Sequence, residues 1–134
     1  MSTPADPTTP DTTKADGAVS VRLSVFYRHP PDPAAFDAYY FSSHVPLARR
    51  LPGLKRLDIA KVLKDDPEFP SSYYLVADLW FATDRALRDS MSSPEGVIAS
   101  SDLQNFASSG WSVVVSTLLA EGGGDGVSEI GPEA

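Results

Sequence analysis

Val19 to Pro33 reads VSVRLSVFYRHPPDP, and its two halves obey different rules. VSVRLSVFYR alternates and is rich in β-branched and aromatic residues, the pattern of a strand. HPPDP stops it, because adjacent prolines cannot continue a central strand. Asp32 followed by Pro33 then opens a helix, with a carboxylate as N-cap and proline at the first helical position. Working outward, that helix runs from about Pro33 toward Leu51 and is closed by Pro52 and Gly53. LKRLDIAKVL, Leu54 to Leu63, reads as a second strand, and KDDPEFPSS as a polar loop. YYLVADLWF, Tyr73 to Phe81, is the strongest strand pattern in the chain. Thr83 caps a short helix. Ser93, Pro94 and Glu95 start another that carries on to about Ala107, and GWSVVVSTLL, Gly110 to Leu119, is the last strand.

The order strand, helix, strand, strand, helix, strand predicts an α+β, ferredoxin-like βαββαβ domain. Its four-stranded antiparallel sheet should carry both helices on one face. Residues 19–120 form this domain. The Pro-, Thr- and Asp-rich residues 1–18 read as a disordered tail, and the glycine-rich, acidic residues 121–134 as a flexible one.

Of the net charge of −7, the first tail holds −2 and the last −4, which leaves −1 for the domain. The absence of a basic face argues against nucleic acid. No apolar run approaches the roughly 18 residues of a membrane span. The polar start lacks the regions of a signal peptide, so a cytoplasmic location is expected. The chain has no cysteine, which removes disulfides and thiolate metal sites. The two histidines form no ligand set with Asp or Glu, so no metal is expected. Neither G-x-S-x-G nor a dinucleotide fingerprint occurs, and EGGGDG lacks the strand and helix of a phosphate loop.

Alternation divides the sheet into two faces. Val21, Leu23 and Val25, with Leu75, Ala77 and Leu79, belong against the helices. Arg22, Ser24 and Phe26, with Tyr74, Val76, Asp78 and Trp80, share the uncovered face. That mixture is too aromatic for a solvated surface and too charged for a closed core. A homodimer joined through the two sheet faces satisfies both demands.

At 100° per residue, with Phe36 at zero, Tyr40 falls at about 40°, His44 at about 80°, Leu47 at about 20° and Leu51 at about 60°. His44 therefore shares the sheet-facing stripe, where it needs a hydrogen-bond partner or a cavity. Periodicity leaves open whether it is a satisfied core residue or part of a site. Pro46 disfavours helical geometry at Val45, so a bend there would shift the second half of the stripe.

The segments FYRHPPDPAAFDAYYFSSHVPLARRLPGLKR and SSPEGVIASSDLQNFASSG resemble the two signatures of the EthD family, whose members are also labelled EthD family reductases. The resemblance spans about Val19 to Leu119. It implies a dimeric α+β barrel with a helix–sheet pocket for a small-molecule ligand, lined by the histidine of the YYxxxHVPL motif, here His44 after Tyr39 and Tyr40. The second signature places Asp102, Asn105 and Phe106. Relatives of this barrel include polyketide cyclases, dehydratases, decarboxylases, monooxygenases and lactone isomerases. These residues suit cofactor-independent acid/base chemistry on an aromatic or polyketide-like substrate. His44 is then the candidate general base and Tyr40 a donor to a substrate oxygen. Asp102 either orients His44, serves as a second proton carrier or is a plain surface carboxylate. Tyr27, Phe36, Trp80 and Phe106 are candidate substrate-contacting walls. Two alternatives stay open: an oxidoreductase using a flavin or haem, and a non-catalytic ligand-binding barrel.

Overall fold

The computed structural model describes residues 19–63, 68 and 72–120. Both expected tails and most of the expected loop at 64–72 lie outside the described residues. Four strands form one antiparallel sheet: β1 (Val21–Arg28), β2 (Arg56–Lys61), β3 (Tyr73–Phe81) and β4 (Trp111–Thr117). Their order across the sheet is β2-β3-β1-β4. This is the α+β, ferredoxin-like arrangement expected from the element order. β1 is central, pairing Leu23 with Leu79 of β3 on one side and with Val115 of β4 on the other. The buried faces of β1 and β3 meet the helices through Val21, Leu23, Val25, Tyr27, Leu75, Ala77, Leu79 and Phe81.

The first helical segment is not one α-helix. α1 (Pro33–Tyr39) starts as expected, with the Asp32 Oδ1 accepting from the Ala35 N–H at 3.1 Å. A π-helical turn (Tyr40–His44) follows, and then α2 (Val45–Ala48). Within the π turn the Val45 N–H reaches back five residues to the Tyr40 carbonyl. Pro46 explains its place. A proline ring in a regular α-helix would meet the carbonyl four residues earlier, that of Ser42. The wider turn absorbs this conflict without ending the helix. It also takes more residues per revolution, so Phe36, Tyr40, His44 and Ala48, spaced by four, all point inward. Beyond the proline the expected stripe is shifted: Val45 and Ala48 are buried, while Leu47 is only half-buried.

α3 (Asp84–Ser92) is capped by Thr83, whose Oγ1 accepts from the Ala86 N–H at 3.0 Å. α4 (Pro94–Asp102) is capped by Ser93, whose Oγ accepts from the Gly96 N–H at 3.0 Å. A 3₁₀ turn (Leu103–Asn105) continues α4 toward β4. The two helices meet so closely that a Cβ on Gly96 would lie 2.6 Å from the Met91 carbonyl oxygen and nearer still to that of Ser90.

One assignment to the uncovered face is corrected. β1 and β3 shift register between Tyr27 and Arg28, which pair with Leu75 and Tyr73, so Tyr74 is the extra residue of a bulge. The bulge turns Tyr74 toward the helices. There its ring meets Phe36 edge-on at 5.5 Å and its hydroxyl donates to Asp37 at 2.8 Å. The other residues keep their expected faces. On the uncovered side the Arg22 guanidinium lies 5.2 Å from the Trp80 ring centre. The Trp80 indole N–H donates to Asp58 at 3.1 Å, and the Ser24 hydroxyl to Asp78 at 2.5 Å. Phe26 packs on Tyr73, ring centres 5.3 Å apart.

Candidate functional site

A cavity of about 290 Å³ lies between the helices and the sheet. Its floor is Leu23, Val25 and Tyr27 of β1 with Ala77 and Leu79 of β3. Its roof includes Tyr40, His44 and Ala48 on one side and Met91, Ala99 and Leu103 on the other. The small residues Ala48, Ala77 and Ala99 leave the space that larger side chains would fill. The volume is at the small end of ligand sites, which run roughly 300–1,000 Å³.

His44 is 6% exposed and forms part of this wall. Its Nδ1 lies 2.9 Å from the Asp102 Oδ2. With a carboxylate as acceptor, Nδ1 carries the proton and Nε2 the lone pair. Among the described residues no hydrogen bond engages Nε2. Burial pulls the imidazole below its ordinary pKa, with Asp102 opposing through its hydrogen bond and charge. Burial pushes the Asp102 carboxyl up. The hydrogen bonds from Tyr39, Asn105 and His44 outweigh that and hold it below the usual carboxylate range. A neutral imidazole beside an ionised carboxylate results.

Asp102 is reached from three elements. Besides His44 of the π turn, the Tyr39 hydroxyl of α1 donates to Oδ1 at 2.6 Å, and the Asn105 amide of the 3₁₀ turn donates to the same oxygen at 2.9 Å. Tyr39 and Asn105 stand in the two motifs but are not among the candidate site residues. For Asn105 a signal exists: its spacing of three from Asp102 makes the two neighbours on a helical surface. Tyr39 lies 63 residues from Asp102, and no local pattern links them.

The remaining candidates separate. Tyr40 and Tyr27 both line the cavity, ring centres 5.4 Å apart. Burial pushes the Tyr40 phenol up to about 12, with a hydrogen bond donated by Tyr27 acting against it. Burial also raises the Tyr27 phenol. Both side chains are therefore neutral hydroxyls at physiological pH. Phe106 packs against His44, ring centres 4.7 Å apart, and also touches Tyr27, Phe36, Tyr39 and Tyr40. Phe36 and Phe106 line a separate cleft of about 320 Å³, which Tyr39 and Asn105 also border. They back the cavity wall without lining it. Trp80 is a correction. It sits on the opposite face of the sheet, bonded to Asp58, and cannot contact a ligand in this cavity.

Among the described residues no group of three or more His, Asp or Glu is gathered as a metal site. No helix among them is long and apolar enough to cross a membrane.

A ferredoxin-like sheet covered by helices on one face, with a histidine–carboxylate pair on an apolar cavity, defines the class of this protein. The EthD domain model matches residues 28–110, and the chain belongs to the EthD family. It is 44% identical over 89 residues to an uncharacterized 11.0 kDa protein in the thcB-thcC intergenic region of Rhodococcus erythropolis, a match that covers 66% of this chain and 85% of the relative. An ethyl tert-butyl ether d (EthD) family protein from Bacillus halodurans superposes with a TM-score of 0.69 at 28% identity, covering 75% of this chain and 99% of that one. Two structures of lower identity share the fold. One is a mutant of SnoaB, a cofactor-independent oxygenase from Streptomyces nogalater, with a TM-score of 0.54, 19% identity, and coverage of 78% of this chain and 97% of that one. The other is the hydroxynitrile lyase of Passiflora edulis, with a TM-score of 0.63, 12% identity, and coverage of 78% and 98%.

Proposed function

We propose that this protein is a small-molecule enzyme that performs cofactor-independent acid/base chemistry on an aromatic or polyketide-like substrate. The observation that carries the reading is the 2.9 Å contact between His44 Nδ1 and Asp102 at the wall of an apolar cavity. His44 Nε2 takes a proton from a carbon or hydroxyl next to an electron-withdrawing group. The resulting imidazolium is stabilised by the Asp102 carboxylate, and the Tyr40 hydroxyl donates to the substrate oxygen that gains charge. The proton then returns to a different atom of the substrate. Cyclisation, isomerisation, dehydration and decarboxylation all share this enolate-forming logic. Tyr27 and the aliphatic floor hold the ring of the substrate.

A second reading, an oxidoreductase of the reductase or monooxygenase kind, draws support from the relative that is a cofactor-independent oxygenase. Removal of a substrate proton by His44 would serve that chemistry too. A homodimer through the uncovered sheet face completes the proposal. On that face Asp58 is ion-paired with Arg56, Arg22 donates to Ser116 and lies over the Trp80 ring, and Asp78 accepts from Ser24, so each charge keeps a polar or aromatic partner within the protomer when the face is covered. β4 adds Val114, which is 50% exposed.

The test uses a panel of enolisable aryl ketones and hydroxyaryl ketones in D₂O, with deuterium uptake followed by NMR. Wild type should accelerate exchange for some members, and His44→Ala should abolish it at unchanged circular dichroism. Binding without exchange across the panel would instead support a non-catalytic barrel.

A further inference from the structure

Asp102 is 8% exposed, yet its carboxylate makes three hydrogen bonds with an unequal division. Oδ1 accepts from Tyr39 at 2.6 Å and from Asn105 at 2.9 Å, while Oδ2 accepts from His44 Nδ1 at 2.9 Å. The donors belong to α1, the 3₁₀ turn and the π turn. Two fixed donors on one oxygen resist rotation of the carboxylate about its terminal bond, because rotation would break both at once. Oδ2 is thereby left facing the imidazole. The arrangement matters because an unconstrained neutral histidine prefers its proton on Nε2, and that form would present a donor where a base is required.

We propose that Tyr39 and Asn105 are positioning residues: by holding Asp102 Oδ1 they keep Oδ2 on His44 Nδ1 and so hold the Nε2 lone pair of His44 free for proton abstraction. Neither residue lines the cavity, and both border the separate cleft behind it. Tyr39 stacks on Phe106 at 5.5 Å, so its ring is also held from the far side. Among the described residues, no lysine or arginine forms an ion pair with Asp102. Apart from Asp102 itself, the other titratable groups facing His44 are Tyr40 and, farther off, Tyr27. The clamp thus rests on neutral donors, which bind the carboxylate without competing with His44 as its cationic partner.

The consequence for catalysis rests on the acid/base reading of His44, but the clamp is measured without substrate. In ¹⁵N-labelled wild type, long-range ¹H–¹⁵N spectra should show His44 as the Nδ1–H form. Tyr39→Phe keeps the ring on Phe106 and removes only the hydroxyl. It should yield a mixture containing the Nε2–H form and lower the His44 titration midpoint, since a turned carboxylate no longer favours the imidazolium. Asn105→Ala, at an exposed position, should shift both readouts the same way by a smaller amount and serves if Tyr39→Phe fails to fold. Unchanged tautomer and midpoint in these variants would overturn the proposal. If His44→Ala instead retained full exchange activity, the proposed reaction would fail while the clamp stood. Once a substrate is in hand, Tyr39→Phe should lower kcat and leave KM in place.

Discussion

Gly96→Ala pits a local preference against a packing constraint. Alanine is the better helix former by about 0.8–1 kcal/mol in a helix interior, so propensity alone makes the substitution stabilising. The structure argues the opposite. The new Cβ would lie 2.6 Å from the Met91 carbonyl oxygen, 2.7 Å from the Met91 carbonyl carbon and closer still to the Ser90 oxygen. Real Cβ atoms essentially never come within 3.0 Å of such a neighbour, so all three contacts are overlaps. All three neighbours are backbone, so no rotamer change relieves the overlap and α4 must move off the end of α3. Overpacking of this kind costs about 1–3 kcal/mol, which exceeds the propensity gain over most of that range. In a domain of this size each kcal/mol lowers Tm by roughly 4–8 °C, so a fall of several degrees is expected in a thermal melt. Asp102 sits at the far end of α4, so the displacement should also loosen its bond to His44 Nδ1, visible in the same ¹⁵N spectra. A Gly96→Ala protein as stable as wild type, with its His44 signals unmoved, would refute the reasoning.

Two further outcomes follow from the same geometry. Burial holds His44 below its ordinary pKa, so the unfolded chain takes up the proton first. The stability contributed by neutral His44 is present above about pH 6.5 and is lost as pH falls from there through the folded pKa. Urea midpoints between pH 8 and 4.5 should fall for wild type and fall less steeply for His44→Gln; parallel slopes would count against a buried neutral imidazole. On the uncovered face, Val76→Arg should yield monomers by sedimentation at micromolar concentration. Wild type that already sediments as a monomer would end the proposal of a sheet-face dimer.

The element order is legible because alternation and caps are local signals. Val21, Leu23 and Val25 alternate, Asp32, Thr83 and Ser93 cap, and each is found in the expected role. Alternation also places Trp80 correctly on the uncovered face. Its reading as a cavity wall rests on aromatic character alone, which carries no direction. Alternation misplaces Tyr74 because a bulge inserts a residue without a mark in the apolar pattern. Pro46 locates the irregularity in the first helix, but a proline does not announce whether the chain will bend, stop or widen. Periodicity brings His44 inward and cannot name its partner, since Asp102 is 58 residues away. That pairing is reachable only through the second motif, and the role of Tyr39 only through the fold.

The π turn also limits how this gene can vary in length. A widened turn amounts to one residue inserted into a helix whose two ends are anchored separately, by Phe36 upstream and by Val45 and Ala48 downstream. Loss of any one residue between Tyr40 and His44 would restore regular α-helical spacing and keep His44 and Ala48 within about 20° of Phe36, but the ring of Pro46 would then meet the carbonyl four residues before it. Substitutions in this segment are judged one side chain at a time. A single-codon deletion would be judged on whether the helix can still pass Pro46, even where the residue lost, such as the exposed Ser42, lines no part of the cavity.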